Sequence, residues 1–148
     1  MAVQATQKLI EQFETADEFN EFSLAFSEWK DSGSDAEYHS YLFGKDSAYI
    51  SPKVDGIPYT LRHVHLVPIK QAELLLRWNK AFKTKSRKTS DRVLVYVDDG
   101  AKNMLLIFIL PEPDAHDIAK MQTIEDKAIM HGFAEVAAAF LDTGEIIV

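Results

Sequence analysis

Two apolar segments joined by a short polar stretch constrain the fold of this chain most strongly. Residues 92–97 and 104–110 have the composition of β-strands, and residues 98–103 supply the polar, glycine-containing turn of a hairpin. The second segment is apolar throughout, which indicates a central strand that is covered on both faces. We therefore expect a sheet with other elements packed against both of its sides.

A helix is predicted on each side of this hairpin in the sequence. The first spans residues 16–30, begins after the cap residue Thr15, and carries one aromatic stripe that is predicted to be core: Phe19, Phe22, Phe26 and Trp29. The second spans about residues 124–141, between the cap residue Thr123 and the stop residue Gly144. Its predicted buried face consists of Ile129, Phe133, Val136, Ala137 and Phe140.

Weaker signals complete a single small domain. Residues 61–67 alternate and predict a strand that ends at Pro68, and residues 69–82 predict a short helix. Residues 3–13 fit either a first strand or a helical arm, residues 36–60 are expected to be mostly loop, and a polar connection follows Pro113. The order of elements predicts one α+β domain over residues 1–148, with a small antiparallel sheet and flanking helices.

Composition excludes several classes of protein. The chain has 148 residues, 47% of them hydrophobic, which suffices for a packed core, and it has no cysteine for a disulfide or a thiol nucleophile. It shows no secretory signal, and its longest apolar run, residues 104–110, is too short to span a bilayer. A soluble cytoplasmic protein is therefore expected. Glycine-rich phosphate loops, serine elbows and paired carboxylates are also missing, which argues against an ATPase, an α/β hydrolase and a glycosidase.

Charge is strongly segregated along the chain. The net charge is −7, yet nine basic residues stand against two acids between Arg62 and Arg92. Residues 1–46 and residues 93–148 each carry ten acids and three bases. Positive charge gathered in one segment of an acidic protein favours contact with a polyanion such as RNA. A basic loop that only contacts water is the alternative.

His63 and His65 are candidates for acid/base chemistry. They lie two residues apart on a predicted strand, so their side chains should share one face, and an ordinary imidazole exchanges protons near neutral pH. A metal site and a purely structural role are the alternatives. His131 is displaced from the buried stripe of the last helix and should be at least partly exposed, and His116 is a weaker candidate.

The polar segment of residues 82–91 is predicted to be an exposed loop that contacts phosphate. Phosphoryl transfer gathers negative charge on oxygen atoms, which cations stabilise. Arg87 is the best candidate for direct contact, because its planar fork can donate to two oxygens. The supporting cations are Lys83, Lys85, Lys88 and Arg92. Asp91 could orient Arg87, cap the loop, or serve only as a turn residue before the strand.

Several fragments occur in one order over residues 40–140. They are Phe43-Gly44-Lys45-Asp46 with Tyr49, His63-Val64-His65-Leu66, Ser86-Arg87 with Thr89 and Asp91 before Leu94-Val95-Tyr96, Leu105-Leu106-Ile107 with Ile109-Leu110-Pro111-Glu112-Pro113, and Met130-His131 running to Ala139-Phe140. The ordered set resembles the YafO-type toxins of bacterial type II toxin–antitoxin systems. The chain departs from that family in its acidity, in an extra residue at Lys88, and in the acidic, apolar tail of residues 141–148.

The resemblance implies a RelE-like domain that acts as a ribosome-dependent mRNA endonuclease. It implies cleavage without a metal or a cofactor, a cognate antitoxin that neutralises the toxin, and a ribosome that presents the mRNA and helps to position the 2′-hydroxyl. The matched polar positions are His63, His65, Ser86, Arg87, Thr89, Asp91 and His131.

Three hypotheses follow. In the first, Arg87 and the neighbouring lysines hold the scissile phosphate of an RNA. One of three histidines (His63, His65 or His131) takes the 2′-hydroxyl proton and another protonates the leaving 5′-oxygen. In the second, the chain is a non-catalytic protein-interaction module that retains the toxin fold. In the third, it binds a metal through His63 and His65.

Overall fold

The computed structural model describes residues 2–56 and 61–148. Along these residues the elements are β1 (Ala2–Ala5), α1 (Gln7–Ile10), α2 (Ala16–Asp31), α3 (Ala36–His39), β2 (Phe43–Ala48), β3 (Arg62–Leu66), α4 (Ala72–Lys83), β4 (Val93–Asp98), β5 (Asn103–Leu110), α5 (Ala115–Lys120) and α6 (Ile124–Thr143). The strands form one sheet in the order β1-β5-β4-β3-β2. The α+β class with flanking helices is confirmed, and the sheet is mixed because β1 pairs with β5 in parallel.

The predicted hairpin of β4 and β5 forms the middle of the sheet. Its turn is fixed by the Asp98 carboxylate, which accepts a hydrogen bond of 2.8 Å from the Gly100 amide, and Gly100 adopts a φ of +77°. β5 lies between β4 and β1, and its side chains enter two separate cores: Leu105 and Ile107 on one face, Met104 and Leu106 on the other. The prediction of a central strand covered on both faces is confirmed.

α2 covers one face of the sheet with its aromatic stripe. The Thr15 hydroxyl accepts from the Glu18 amide at 3.1 Å, as the cap prediction requires. Phe26 packs edge-on against Tyr96 of β4 with centroids 5.2 Å apart, and Trp29 stacks on Phe43 of β2 at 4.8 Å. The stripe is therefore core, as predicted.

α6 covers the opposite face. It begins at the cap Thr123, whose hydroxyl accepts from the Asp126 amide at 3.0 Å, and it ends at Gly144, which has a φ of +76°. Val136, Ala137 and Phe140 are buried as predicted, but Ile129 is 38% exposed. Met130 and Ala134 take its place in the core, so the buried face is rotated from the predicted stripe.

Two expectations about connecting segments were wrong in part. The loop expected over residues 36–60, which is described only to residue 56, contains α3 and the strand β2. The segment of residues 82–91 is not fully exposed, because Lys88 and Ser90 are buried. The polar connection after Pro113, for which no element was predicted, contains α5. At the N-terminus, where a strand and a helical arm were alternatives, the short elements β1 and α1 are both present.

Candidate functional site

His63 and His65 lie on the face of the sheet that α6 covers. In the register of β3 and β4, His63 stands opposite Val95 and His65 opposite Val93, and both valines belong to the core beneath α6. Directly opposed residues of antiparallel strands point to the same side, so the imidazoles extend this core toward β2. The expectation that they share a face is confirmed, with ring centroids 5.8 Å apart.

Four ring side chains form a continuous row across this face, which we call the histidine row: Tyr49, His63, His65 and His116. The Tyr49 ring stacks on His63 with centroids 3.9 Å apart and an interplanar angle of 9°. The rings of His65 and His116 are 5.6 Å apart. Tyr49 follows β2, the two central histidines lie on β3, and His116 lies in the first turn of α5, so three separate segments build one surface.

His65 is held by the backbone of residues 82–92, which we call the basic segment. Its Nδ1 atom lies 2.8 Å from the Ser90 carbonyl oxygen and 2.9 Å from the Ser90 amide nitrogen, and either contact can form, depending on the tautomer. The Ser90 hydroxyl in turn donates to the Leu66 carbonyl at 2.6 Å. Whichever of the two contacts forms, Ser90 fixes the His65 ring at Nδ1, and Nε2 remains for another partner.

His63 is positioned mainly by stacking. Beyond its contact with Tyr49, its Nε2 atom lies 3.4 Å from the Ser47 hydroxyl of β2. Its Nδ1 atom is buried and has no hydrogen-bond partner among the described residues. A buried imidazole with so few polar partners is poorly suited to carry a charge.

Burial keeps both central imidazoles in their neutral form. The pKa of His63 is lowered to about 4, chiefly by loss of water and also by the neighbouring His65 and the charge of Lys45, against a raising effect of Asp46. Loss of water also lowers the pKa of His65 to about 4, against a raising effect of its bond to Ser90. At neutral pH both rings are therefore proton acceptors rather than donors.

His116 sits in a different environment at the exposed end of the row. One Asp91 carboxylate oxygen accepts from the His116 amide at 2.8 Å and lies 3.1 Å from Nδ1 of the same residue. The His116 side chain is 59% exposed, whereas that of Asp91 is 16% exposed. Asp91 therefore fixes both the start of α5 and the orientation of the imidazole.

Two cations of the basic segment bind to α3 instead of facing the row. Arg87 Nε donates to the Glu37 carboxylate at 2.8 Å, and its guanidinium also reaches the Tyr38 hydroxyl at 3.4 Å. Lys88 is buried, donates to the Glu37 carbonyl oxygen, and lies 5.7 Å from the Trp78 ring. Burial lowers the pKa of Lys88, which the negative charge of Glu37 opposes.

The backbone of the same segment nevertheless lies beside the row. The Lys45 amide of β2 donates to the Lys88 carbonyl at 2.9 Å. This approach requires glycine at position 44, because a side chain there would collide with that carbonyl oxygen and with the Trp78 ring. The segment is thus clamped between β2 at Lys88 and His65 at Ser90, with the charge of Lys45 acting on both central histidines.

The structure brings together some of the sequence-predicted residues and separates others. His63, His65 and Asp91 belong to one cluster, whereas Lys83 and Lys85 are exposed. Arg92 donates to the Val67 carbonyl at 3.1 Å. His131 is exposed on α6, as expected, and none of its ring contacts or hydrogen bonds in the described part of the chain involves the row.

Sequence reasoning gives too little weight to three members of this surface. Lys45 and Tyr49 enter only through the family fragment, since the segment around them is expected to be loop. His116 is a weak candidate in the sequence because it lies about 50 positions from His65, and no local pattern signals that α5 folds back against β3. A metal centre finds no support in residues 2–56 and 61–148, where no group of three or more His, Cys, Asp or Glu side chains could hold an ion.

Fold and site together define a small α+β domain with a row of imidazoles beside a basic segment. The sequence model of the family described as "Toxin YafO, type II toxin-antitoxin system" matches residues 27–142. The chain therefore belongs to the YafO toxin family of type II toxin–antitoxin systems, as the ordered fragments predicted. Such a family implies an antitoxin as partner.

The remaining comparisons add no further relative. No curated protein and no solved structure matches the chain significantly. Every helix that the structure describes is too short or too polar to cross a membrane.

Proposed function

We propose that this toxin is an endoribonuclease that cleaves mRNA on the ribosome and so inhibits translation. Membership of a toxin family supports an activity that harms the cell. The observation that carries the proposal is the histidine row, in which His63 and His65 stand neutral beside a third imidazole and the charge of Lys45. Proton acceptors next to cations are what cleavage of an RNA phosphodiester needs.

In the proposed reaction the 2′-hydroxyl of the RNA attacks the neighbouring phosphorus. The neutral ring of His63 or His65 accepts the hydroxyl proton, and the bond to the 5′-oxygen breaks. General acid/base assistance of this kind contributes about 10²–10⁴-fold per group. Imidazoles make the proton transfers in this scheme, and the ribosome presents the mRNA in a conformation that allows attack.

The cations of the basic segment have two proposed tasks. Lys83, Lys85 and Arg92 are proposed to bind RNA phosphates, the first two from exposed positions at the end of α4 and just beyond it. Arg87 contacts the scissile phosphate in this proposal by exchanging its ion pair with Glu37 for one with RNA. Lys88, which is buried, supports that contact through the position of the loop.

His131 is proposed as an additional proton-transfer group. Because His131 is exposed on α6, a ribosome-bound RNA can contact its ring. The cognate antitoxin is proposed to neutralise the toxin, and the cytoplasm, where ribosomes translate, is the proposed place of action.

Induced expression of single variants in a bacterium tests the proposal. His65→Ala and Arg87→Ala are expected to relieve the growth arrest caused by the parent chain, because each removes a group assigned to the reaction. His39→Ala, which replaces an exposed histidine at the end of α3, is the matched control and should arrest growth like the parent. If both site variants remain as toxic as the parent, the assignment of roles is wrong.

A non-catalytic interaction module is the second candidate. It is favoured by the use of Arg87 and Lys88 in internal contacts and by the net charge of −7, which weakens general attraction to RNA. Primer-extension mapping of transcripts after induction separates the two candidates. Cuts at defined positions within codons support the nuclease, and intact messages in arrested cells support the module.

A further inference from the structure

His116 differs from the other two imidazoles of the row in having a carboxylate partner. Asp91 lies 3.1 Å from its Nδ1 atom and also holds its backbone amide, while the hydrogen-bond partners that the described residues offer His63 and His65 are neutral. A carboxylate against one ring nitrogen stabilises the imidazolium, whereas burial among neutral groups disfavours it. His116 is thus the imidazole of the row that a carboxylate holds in place.

The position of His116 also suits contact with a substrate. Its side chain is 59% exposed, and with Nδ1 facing Asp91, Nε2 remains for an external partner. Its ring lies 5.6 Å from that of His65. Two groups that each reach out by a hydrogen bond of about 3 Å can therefore contact one phosphodiester together.

We infer that His116 is the general acid that protonates the leaving 5′-oxygen, and that Asp91 is its positioning residue. The inference rests on the proposed nuclease function. A bond forms between the 2′-oxygen and phosphorus as the 2′-hydroxyl proton passes to the neutral ring of His63 or His65. The bond between phosphorus and the 5′-oxygen then breaks, and that oxygen takes the proton from Nε2 of His116. The products are a 2′,3′-cyclic phosphate and a 5′-hydroxyl end.

The proton donor His116 is a different residue from the proton acceptors His63 and His65. Groups that act on His116 from other elements include Asp91 from the loop before β4 and His65 and His63 from β3, while α5 itself carries Asp117 next to it in sequence. Asp91 is the anion that contacts the His116 ring. Removing its charge while keeping its shape should therefore impair proton donation by His116 without displacing α5.

A leaving group that needs no proton tests this assignment. Ribosomes are programmed with a short mRNA that carries sulfur in place of the 5′-oxygen at the cleaved linkage, and cleavage is compared with that of the ordinary mRNA. Thiolate leaves readily without protonation, so a variant that lacks only the general acid should cut the sulfur substrate almost normally. The variants are His116→Gln, Asp91→Asn and the double variant His63→Gln/His65→Gln. Asp91→Asn keeps an oxygen that can accept from the His116 amide.

The expected pattern separates acid from base. His116→Gln should reduce cleavage about 10²–10⁴-fold on the ordinary mRNA and less than about tenfold on the sulfur substrate. Asp91→Asn should show the same contrast to a smaller degree, and the double variant should reduce cleavage of both substrates. An equal reduction on both substrates by His116→Gln, or none on either, would overturn the inference. A parent chain that cuts neither mRNA would instead refute the nuclease function itself.

Discussion

At the scale of single residues, the two imidazoles of β3 are shielded from water by different neighbours. Tyr49 covers one face of His63, whereas the Ser90 backbone holds His65 at one nitrogen. The common result is a preference for the neutral form, the state from which an imidazole accepts a proton, and a pKa of about 4 makes both rings weak bases. The same preference must weaken the folded state in acid, because the unfolded chain lacks this shielding.

We predict that the free energy of unfolding falls as the pH is lowered from 6.5 to about 4. In the unfolded chain both imidazoles take up protons near the ordinary pKa of 6.5, whereas their pKa values in the folded protein are about 4. Between these values the unfolded state binds more protons, so the contribution to stability is complete above 6.5 and is lost on acidification. Because one unit of pKa corresponds to about 1.4 kcal/mol, a decrease of a few kcal/mol is expected.

Urea unfolding followed at about pH 7 and about pH 5 measures this effect. The double variant His63→Gln/His65→Gln should show a much smaller difference between the two pH values than the parent. His39→Gln, which replaces an exposed histidine outside the row, serves as the control and should retain the parent's difference. The explanation fails if acid destabilises the double variant as much as it destabilises the parent.

At the scale of elements, the sequence signals that succeeded were local ones. α2 and α6 carry their caps and apolar stripes within their own length, and the hairpin of β4 and β5 carries its turn. β2 has no such pattern, since Lys45, Asp46 and Ser47 are polar and its pairing partner β3 lies some 20 residues away. Lys88 is likewise buried by α3 and α4, which no pattern around position 88 could indicate.

Gly132 of α6 provides a prediction at this scale. It lies inside the helix, and a Cβ atom built on it would meet no other atom within 4 Å. Glycine in a helix interior is less favourable than alanine by about 1 kcal/mol, mainly through backbone entropy. We therefore expect Gly132→Ala to raise the free energy of unfolding by up to about 1 kcal/mol, as measured by urea denaturation.

Gly144 is the control position for the substitution at Gly132. It ends the same helix with a φ of +76°, where a side chain is strained whatever the surrounding space. Gly144→Ala should lower the free energy of unfolding by about 1–2 kcal/mol. If the free energy of unfolding changes in the same direction in both variants, backbone conformation does not determine the effect of these substitutions.

At the scale of the whole molecule, one segment of the chain is basic and the rest is acidic. The chain carries −7 overall, yet the segment from Arg62 to Arg92 holds nine bases and two acids. Folding changes which of these charges face outward, because Arg87 is paired with Glu37 and Lys88 is buried. Lys83 and Lys85 remain exposed, and we expect them to contact RNA phosphates directly alongside Arg87 and Arg92.

Salt dependence should reveal this arrangement. Each lysine that binds a phosphate releases counterions, so the association constant with mRNA-programmed ribosomes should fall as salt is raised. We predict that Lys83→Gln/Lys85→Gln weakens association at low salt and reduces the slope of log K against log salt by about 0.7 for each phosphate that is no longer neutralised. Lys8→Gln/Lys127→Gln removes the same charge from exposed positions in the acidic parts of the chain and should leave the slope nearly unchanged. Equal reductions in both double variants would show that net charge, and not the placement of the basic segment, governs association.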